Sequence, residues 1–295
     1  MVDFKKTIII SLAYLINISC MNFNSPRLEY RIINNQLSNK DFIFSDISKS
    51  LIGQKKVNKN WSKLNSSRSI PYFRLKNSRG KILGYYVLNN EKYLVVQLNN
   101  NKKYKWNNEA KKGNSVPSHI AFLDDVKNAK KLVGNSIWLN DIFVDSIFMN
   151  QSETSFEKFQ KVDVTGIKIY QNSKVDPPIW LEIKTKNQSS SYVRYNGKFK
   201  FHSRQNNYFI ENPIKFNWSK RIIKKVLRGD IENGMNHEQV RASIGNPDII
   251  NNTSSRHGVS QQWIYGNDLV LKRYLSFKNG KLSSMQGIIK KDNTL

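Results

Sequence analysis

Histidine and cysteine side chains carry much of protein catalysis and metal binding, and in this sequence they form no recognisable constellation. The four histidines, His119, His202, His237 and His257, are far apart, and none has a second metal-binding residue three or four positions away. Zinc sites are usually built from such closely spaced ligands. We therefore predict solvent-exposed histidines, no metal site and no bound cofactor.

The acidic residues offer no better case for catalysis. Asp124 and Asp125 are adjacent, so their side chains point in different directions and spacing alone does not make them an acid and base pair. The sequence also contains no glycine-rich phosphate loop and no nucleophile elbow. It predicts a protein that is not an enzyme. An enzyme that assembles its residues from distant loops is the alternative that the sequence leaves open.

The single cysteine, Cys20, lies at the end of an apolar stretch over residues 7–19 that follows two lysines. This arrangement is typical of a signal peptide, which we predict over residues 1–20. A membrane-spanning helix needs about 20 apolar residues, and the stretch over 7–19 is too short for that. The position of Cys20 resembles a bacterial lipobox, with Asn17 where that signal usually has leucine. The resemblance implies acylation of Cys20 and a membrane anchor at this sulfur. If another peptidase removes the cysteine, we expect a secreted or periplasmic protein.

The chain is strongly basic and has the composition of a folded protein. It contains 48 Lys and Arg against 22 Asp and Glu, a net charge of +26, and 12% of its 295 residues are aromatic. Aromatic side chains supply apolar surface for several cores. The single cysteine cannot form a disulfide within the chain, so we expect packing to hold the fold together. Because the cations are dispersed among asparagines, we expect no nucleic-acid partner. Anionic lipid and cell-wall polymer are the polyanions that we consider instead.

A faint internal repeat runs through residues 50–195. Leu83-Gly84 matches Thr165-Gly166 at an offset of 82 residues, and the aromatic runs that follow align Tyr104 with Tyr192 at an offset of 88. Each copy consists of short β-branched and aromatic runs between turn residues. The repeat therefore predicts two small β-rich units, with one irregular antiparallel sheet as the alternative.

We place the two small, mainly antiparallel β modules at residues 50–112 and 130–200, after a lead segment over 21–49. Their strand lengths and turn spacing resemble Src-homology-type and bacterial cell-wall-targeting small barrels. If the modules bind a glycan or peptide polymer, exposed aromatic side chains would line the grooves. The candidates for that role are Trp106, Trp138 and Trp180.

The last part of the chain changes to helical periodicity. A short amphipathic helix ends at Gly229, and a second helix begins after Asn236, whose side chain can cap it together with Gln239. Gly245 and Pro247 end this helix, since glycine takes a left-handed cap and proline cannot continue the hydrogen bonding. Met235 in front of the helix and Val240 within it are predicted to face the core.

Three strands are predicted after these helices. An Asn- and Ser-rich loop over 251–258 precedes them, and Asn279-Gly280 forms a tight turn between the last two. The aromatic residues of the strands are expected to pack the helices onto the sheet, and these are Trp263, Tyr265 and Phe277. The alternative is that Tyr265 or the 251–258 loop faces a partner protein. The whole chain is predicted to be α+β.

Several short motifs of this region together resemble the SmpA/OmlA, or BamE-like, family of outer-membrane lipoproteins. They are Gly234-Met235, Glu238-Gln239-Val240, Ile244-Gly245-Asn246-Pro247, Trp263-Ile264-Tyr265, Tyr274-Leu275-Ser276-Phe277 and Asn279-Gly280-Lys281-Leu282. The resemblance implies an ααβββ module over 217–291, with a fold shared with the β-lactamase inhibitor protein. Asn236 stands where the family commonly has threonine.

The resemblance also implies a function. We expect a non-enzymatic envelope lipoprotein, in the outer membrane, whose C-terminal module docks onto an envelope protein or an assembly complex. Outer-membrane assembly or maintenance is the corresponding process. The alternative is a cell-wall polymer-binding protein that uses the two β modules.

Overall fold

The computed structural model describes most of the chain between residues 31 and 288. The described ranges are 31–52, 60–88, 90–107, 116–140, 148–149, 156–173, 176–184, 190–197, 206–255, 258–266 and 272–288. The predicted signal peptide with Cys20, and the two histidines His202 and His257, lie outside these ranges.

The first module is a six-stranded antiparallel sheet. Its region contains, in chain order, β1 (Asp41–Phe44), β2 (Asp46–Ile47), helix α1 (Lys49–Ile52), β3 (Trp61–Lys63), a 3₁₀ turn (Tyr72–Arg74), β4 (Arg79–Leu88), β5 (Glu91–Leu98), β6 (Lys103–Asn107) and β7 (Ile120–Phe122). The sheet order is β3-β6-β5-β4-β1-β7. The sheet therefore includes part of the predicted lead segment, because Phe42 and Phe44 of β1 are buried in its core.

The second module repeats this architecture. Its elements are α2 (Leu123–Lys130), β8 (Ser136–Leu139), β9 (Phe148–Met149), β10 (Lys161–Gln171), β11 (Ile179–Lys184), β12 (Ser190–Arg194) and β13 (Tyr208–Phe209). Its sheet order is β9-β12-β11-β10-β8-β13, and β2 of the first module pairs in parallel with the end of β10. The short strand β13 extends the module beyond the predicted boundary at residue 200.

The two sheets have the same strand topology. We leave β2 aside and number the six strands of each sheet from 1 to 6 along the chain. The order of the strands across the sheet is then 2-5-4-3-1-6 in both modules. Both also have a register irregularity at the glycine that the sequence repeat aligns, before Gly84 in β4 and before Gly166 in β10. The internal repeat predicted from sequence is therefore present as a structural duplication.

The register of the last repeated strand differs from the prediction by one residue. Val95 pairs with Lys105 in the first module, and the matching residue of the second, Glu182, pairs with Tyr192. Lys105 is thus equivalent to Tyr192, an offset of 87 rather than the predicted 88. Since neighbouring residues of a strand point to opposite faces, Tyr104 and Tyr192 are not equivalent.

The C-terminal module has two helices and a four-stranded antiparallel sheet. The helices are α3 (Lys220–Arg228) and α4 (His237–Ile244), and the strands are β14 (Ile249–Ser255), β15 (Gly258–Tyr265), β16 (Lys272–Lys278) and β17 (Lys281–Ile288). The strands follow one another in the sheet in chain order.

The prediction of a loop over residues 251–258 is wrong. Most of it belongs to β14, which pairs with β15 from Ile249–Ile264 to Ser255–Gly258. Asn and Ser have low strand propensity, but β15 offers a complete row of backbone partners, and pairing context outweighs intrinsic preference in sheets.

Besides a small cluster of Leu64, Tyr86 and Val95 in the first module, three main hydrophobic cores lie under the three sheets. Large buried side chains dominate each of them, including Trp61 in the first module, Leu181 in the second and Trp263 in the third. Over its described ranges the chain is a mixed helix-and-strand protein dominated by antiparallel sheets, and this agrees with the α+β prediction at that level.

Candidate functional site on the C-terminal sheet

The helices of the C-terminal module end at the residues that the sequence predicts. The Asn236 side chain accepts a hydrogen bond from the Gln239 N–H at 2.9 Å, and Gln239 Oε1 accepts one from the Asn236 N–H at 2.9 Å. This is the predicted capping box. Gly229 ends α3 in the left-handed conformation, with a φ of 76°, and Gly245 ends α4.

The helices cover one face of the sheet. Met235, Val240 and Trp263 are fully buried between the two layers, and Phe277 is nearly so. The half-buried Tyr265 donates a hydrogen bond from its hydroxyl to the Gly245 carbonyl at 2.9 Å. The prediction that these side chains pack the helices onto the sheet is confirmed.

His237 belongs to this packing and is only partly exposed, whereas the sequence predicted a solvent-exposed histidine. Its ring stacks on Trp263 with centroids 4.9 Å apart, and it lies 4.4 Å from the Phe277 ring. Burial, together with the charge of Arg241, holds the pKa of His237 below its usual value. The first turn of α4 is thus attached to the sheet by an imidazole that favours the neutral form.

The opposite face of the sheet, which we call the outer face, has no helix against it in the described part of the chain. Side chains alternate between the two faces of a strand. Because Trp263, Leu275 and Phe277 point to the helices, their neighbours point outward. The outer face consists of Ile249, Asn251, Thr253, Ser260, Gln262, Ile264, Tyr274, Ser276, Ser284 and Gln286, with Lys272, Lys278 and Lys281 at its edges.

The side chains of the outer face form two neighbouring rows across the sheet. One row is largely apolar, with Ile249, Ile264 and Tyr274 opposite one another, and Ile249 is 53% exposed. The next row carries amides and hydroxyls, and its members are Asn251, Gln262, Ser276 and Ser284. Among the outward-pointing residues of the described strands, lysines occur at strand ends, namely Lys272 and Lys278 of β16 and Lys281 of β17.

The charges of the module are concentrated on the helix side. Lys220, Lys224 and Arg228 are exposed on α3. Two further cations of this helix bind the same carboxylate, since Arg221 lies 2.9 Å and Lys225 3.3 Å from Glu232. The module thus has a cationic helical side and a sheet side whose centre is uncharged.

An uncharged surface of this kind fits a protein interface. Interface centres are depleted of charged residues and surrounded by polar groups, and exposed apolar side chains that lie together mark interaction sites. In a chain with a net charge of +26, most of the surface is expected to carry cations, so an outward face with an uncharged centre differs from the average surface. Sequence reasoning missed the contribution of β14 to this surface because it read most of that strand as a loop.

The three tryptophans proposed for polymer binding are not brought together. Trp180 has no exposed surface: its indole N–H donates to the Tyr170 carbonyl at 2.7 Å, and the Arg194 guanidinium lies 4.0 Å from its ring centroid. Trp180 therefore cannot line a groove. Trp106 is half-buried against the first core, and Trp138 is half-buried with the Lys161 ammonium 5.5 Å from its ring.

The prediction of exposed histidines is wrong for His119. This side chain is buried in the first module among Phe44, Trp61 and Tyr72. The only local sign of burial in the sequence is the apolar run that follows His119. The aromatic residues that surround it come from distant parts of the sequence, so the sequence pattern does not reveal them. Asp125 is also buried, whereas Asp124 is exposed, so these two acids do not share a site.

Neither metal ligation nor membrane crossing by a helix is found in the part of the chain that the structure describes. No group of three His, Cys, Asp or Glu side chains is positioned to hold a metal ion among these residues. Likewise, none of the described helices has the length and apolar character to span a membrane.

Comparison with protein-family models, with curated proteins and with solved structures finds no match to this chain.

Proposed function

We propose that this chain is a non-enzymatic bacterial envelope lipoprotein whose C-terminal module docks onto another envelope protein or an assembly complex. The outer face is the proposed docking surface. The observation that carries the proposal is its uncharged centre, formed by Ile264, Gln262 and Tyr274, in a chain where 24% of residues are charged. A partner that buries this centre leaves no unpaired charge in the middle of the interface, so it avoids a large desolvation cost.

The motifs of the C-terminal module support a BamE-like assignment within this proposal. Two helices precede an antiparallel sheet, which is the element order that the SmpA/OmlA resemblance implies. The strand β14 is an addition to the three strands of that resemblance, and it widens the outer face by Ile249, Asn251 and Thr253. We propose outer-membrane assembly or maintenance as the process that this docking serves.

The proposed anchor is an acylated Cys20, which would hold the protein at the outer membrane. Palmitate labelling of cells that express the chain tests this part. We expect label in the native protein and none in the Cys20→Ser variant. A native protein that carries no lipid and fractionates with soluble proteins would contradict the anchor, while the docking surface would still be testable.

Site-specific photocrosslinking in cells tests the docking surface directly. A photoreactive amino acid replaces Gln262 on the outer face, and a matched chain carries it at Lys224 on α3, on the helix side of the same module. Both positions are exposed, so neither replacement disturbs a core. We expect a discrete crosslinked protein from position 262 and not from position 224.

A charge placed in the apolar row provides the control for specificity. Ile264→Lys introduces one unpaired cation into the interface centre, which costs binding energy because the charge must be desolvated. The crosslink from position 262 should disappear in this background. If it persists, or if position 224 gives the same adduct, the outer face is not the docking surface.

Polymer binding by the second β module is the alternative function, and one observation favours it. The Lys168 ammonium lies 5.4 Å from the Tyr170 ring and 5.1 Å from the Tyr192 ring, on the same outward side of the sheet. Half-exposed aromatic rings with an adjacent cation suit an anionic wall polymer. Sedimentation with isolated wall polymer tests it: native protein should sediment, and Tyr192→Ala should remain in solution.

A further inference from the structure

A cationic cleft lies in the first module, between the end of β3 and the 3₁₀ turn. It encloses about 500 Å³. Three of its seven lining residues are cations, namely Lys63, Arg68 and Arg74, and two are the hydroxyl residues Ser66 and Ser69. Ile70 and Pro71 complete the lining. The cleft is therefore a concave surface lined mainly by hydrogen-bond donors.

The positive charge of the cleft is not neutralised by the described part of the protein. Lys63, Arg68 and Arg74 are exposed, no acidic residue lines the cleft, and none of the three makes an ion pair with a described carboxylate. Elsewhere in the same module cations do find partners, as Lys76 does with Asp46 at 2.9 Å. Three cations close together repel one another, so an anion that enters the cleft lowers their electrostatic energy.

The walls of the cleft are held by the core of the module. The Ile70 N–H donates to the Trp61 carbonyl at 2.7 Å, and Ser69 forms a β-bridge with Ser62. On the other wall, Tyr72 and Leu75 are buried and fix the 3₁₀ turn that carries Arg74. The backbone that presents the cations is thus ordered before any ligand binds, which reduces the entropic cost of binding.

We propose that this cleft binds a phosphate group. A phosphate oxygen cluster accepts hydrogen bonds from several directions, and guanidinium groups match pairs of its oxygens with charge-assisted hydrogen bonds. Two arginines, a lysine and two serine hydroxyls supply donors for several phosphate oxygens, whereas a carboxylate, with two oxygens, would leave part of this set unused. The site is distinct from the outer face of the C-terminal sheet, and it does not depend on the docking function.

Calorimetric titration of the purified full-length protein with inorganic pyrophosphate at low ionic strength tests the proposal. The double variant Arg68→Ala/Arg74→Ala removes two cations of the cleft. The matched control, Lys127→Ala/Lys130→Ala, removes two exposed cations of α2 outside the cleft. We expect saturable binding that weakens about tenfold or more in the cleft variant and changes by less than about twofold in the control.

Two outcomes would overturn the proposal. The first is titration of the native protein without saturation, and the second is equal weakening in both double variants, which would assign the binding to diffuse charge. Since all four residues are exposed, we expect both variants to keep the native unfolding midpoint, and this measurement separates binding from folding.

Competition identifies the source of the phosphate group. Pyrophosphate bound to the cleft is challenged with phosphatidylglycerol vesicles, with phosphatidylcholine vesicles as the uncharged match, and with soluble poly(glycerol phosphate). Displacement by the anionic vesicles alone assigns a lipid headgroup, and displacement by the polymer assigns a wall phosphodiester. Both results support a phosphate site.

Discussion

The indole N–H of Trp61 donates a hydrogen bond to Nε2 of His119 at 2.8 Å inside the first module. Because Nε2 accepts this bond, the imidazole proton lies on Nδ1 and the ring is neutral. The rings of Phe44 and Tyr72 surround the histidine, with centroids 6.1 Å and 4.8 Å from it. Burial lowers the pKa of His119 to about 3.

This pair predicts a loss of stability in mild acid. The unfolded state protonates His119 near pH 6.5, whereas the folded state resists protonation down to a pKa of about 3. Between these values the unfolded state binds more protons, so the free energy of unfolding falls as the pH falls, by up to about 1.4 kcal/mol per pH unit from this group. Above about pH 6.5 the group contributes no pH dependence.

Urea unfolding of the native protein and of His119→Phe, at pH 7 and pH 5, measures the effect. At pH 7 we expect the variant to be less stable by about 1–3 kcal/mol, because the Trp61 N–H is left buried without an acceptor. Between pH 7 and pH 5 the native protein should lose more stability than the variant. Equal losses would show that His119 is not the titrating group.

The duplicated glycines of the two β modules predict unequal responses to one substitution. A Cβ at Gly84, where φ is +140°, would collide with the backbone carbonyl oxygen of Ile33. At Gly166 the nearest atom would be Glu182 Oε2, 2.7 Å away at the flexible end of a side chain. Gly84→Ala should therefore cost about 2 kcal/mol or more, and Gly166→Ala less than about 1 kcal/mol.

Thermal or urea unfolding of the two alanine variants decides this case, since the two positions serve as controls for each other. The sequence repeat alone predicts similar effects at its two glycines. The structure distinguishes them because Ile33 pairs with Tyr85 through hydrogen bonds of 2.6 Å and 2.9 Å and crowds Gly84. A larger loss at Gly166 would contradict that packing.

Local signals made the helices of the C-terminal module predictable. The Asn236 cap, the Gly229 stop and the Asn279-Gly280 turn depend on residues a few positions apart, and the structure has all three. Strand β14 was missed because its pairing, and not its composition, makes it a strand. The buried state of His119 was missed for a related reason, as its hydrogen-bond partner lies 58 residues away in the sequence.

The same distinction applies to the candidate docking surface. Alternation of residues along one strand predicts two faces but does not say which face a helix covers. Here the burial of Trp263 identifies the covered side. Since neighbouring side chains of a strand point to opposite faces, Ile264 points outward. The uncharged centre of the outer face extends across four strands, so only the pairing registers bring its residues together.

The capping box of α4 predicts a graded series of stabilities. Asn236→Ala removes the acceptor for the Gln239 N–H and should cost about 1 kcal/mol. Asn236→Thr keeps an oxygen at the cap and should cost less than about half of that value. Urea unfolding measures both variants, with Asn251→Ala as a control for loss of an exposed asparagine in the same module. Equal losses at position 236 and at position 251 would contradict the capping role.

Neighbouring residues of β15 separate folding from docking. Trp263 is fully buried under the helices, so Trp263→Ala should destabilise the module by about 3–5 kcal/mol. Ile264 is outward and half-buried, so Ile264→Ser should cost at most about 1 kcal/mol while it removes an apolar contact from the proposed interface. Unfolding curves and crosslinking from position 262 are measured on both variants.

For Ile264→Ser we expect a near-native unfolding midpoint together with a weaker crosslink, because the apolar row of the outer face contributes to binding and little to the core. In Trp263→Ala the crosslink should be lost together with the fold, since the sheet that carries Gln262 depends on this ring. If Ile264→Ser keeps both its stability and its full crosslink, the apolar row lies outside the interface. Docking would then have to use another surface of the module, such as the cationic side of α3.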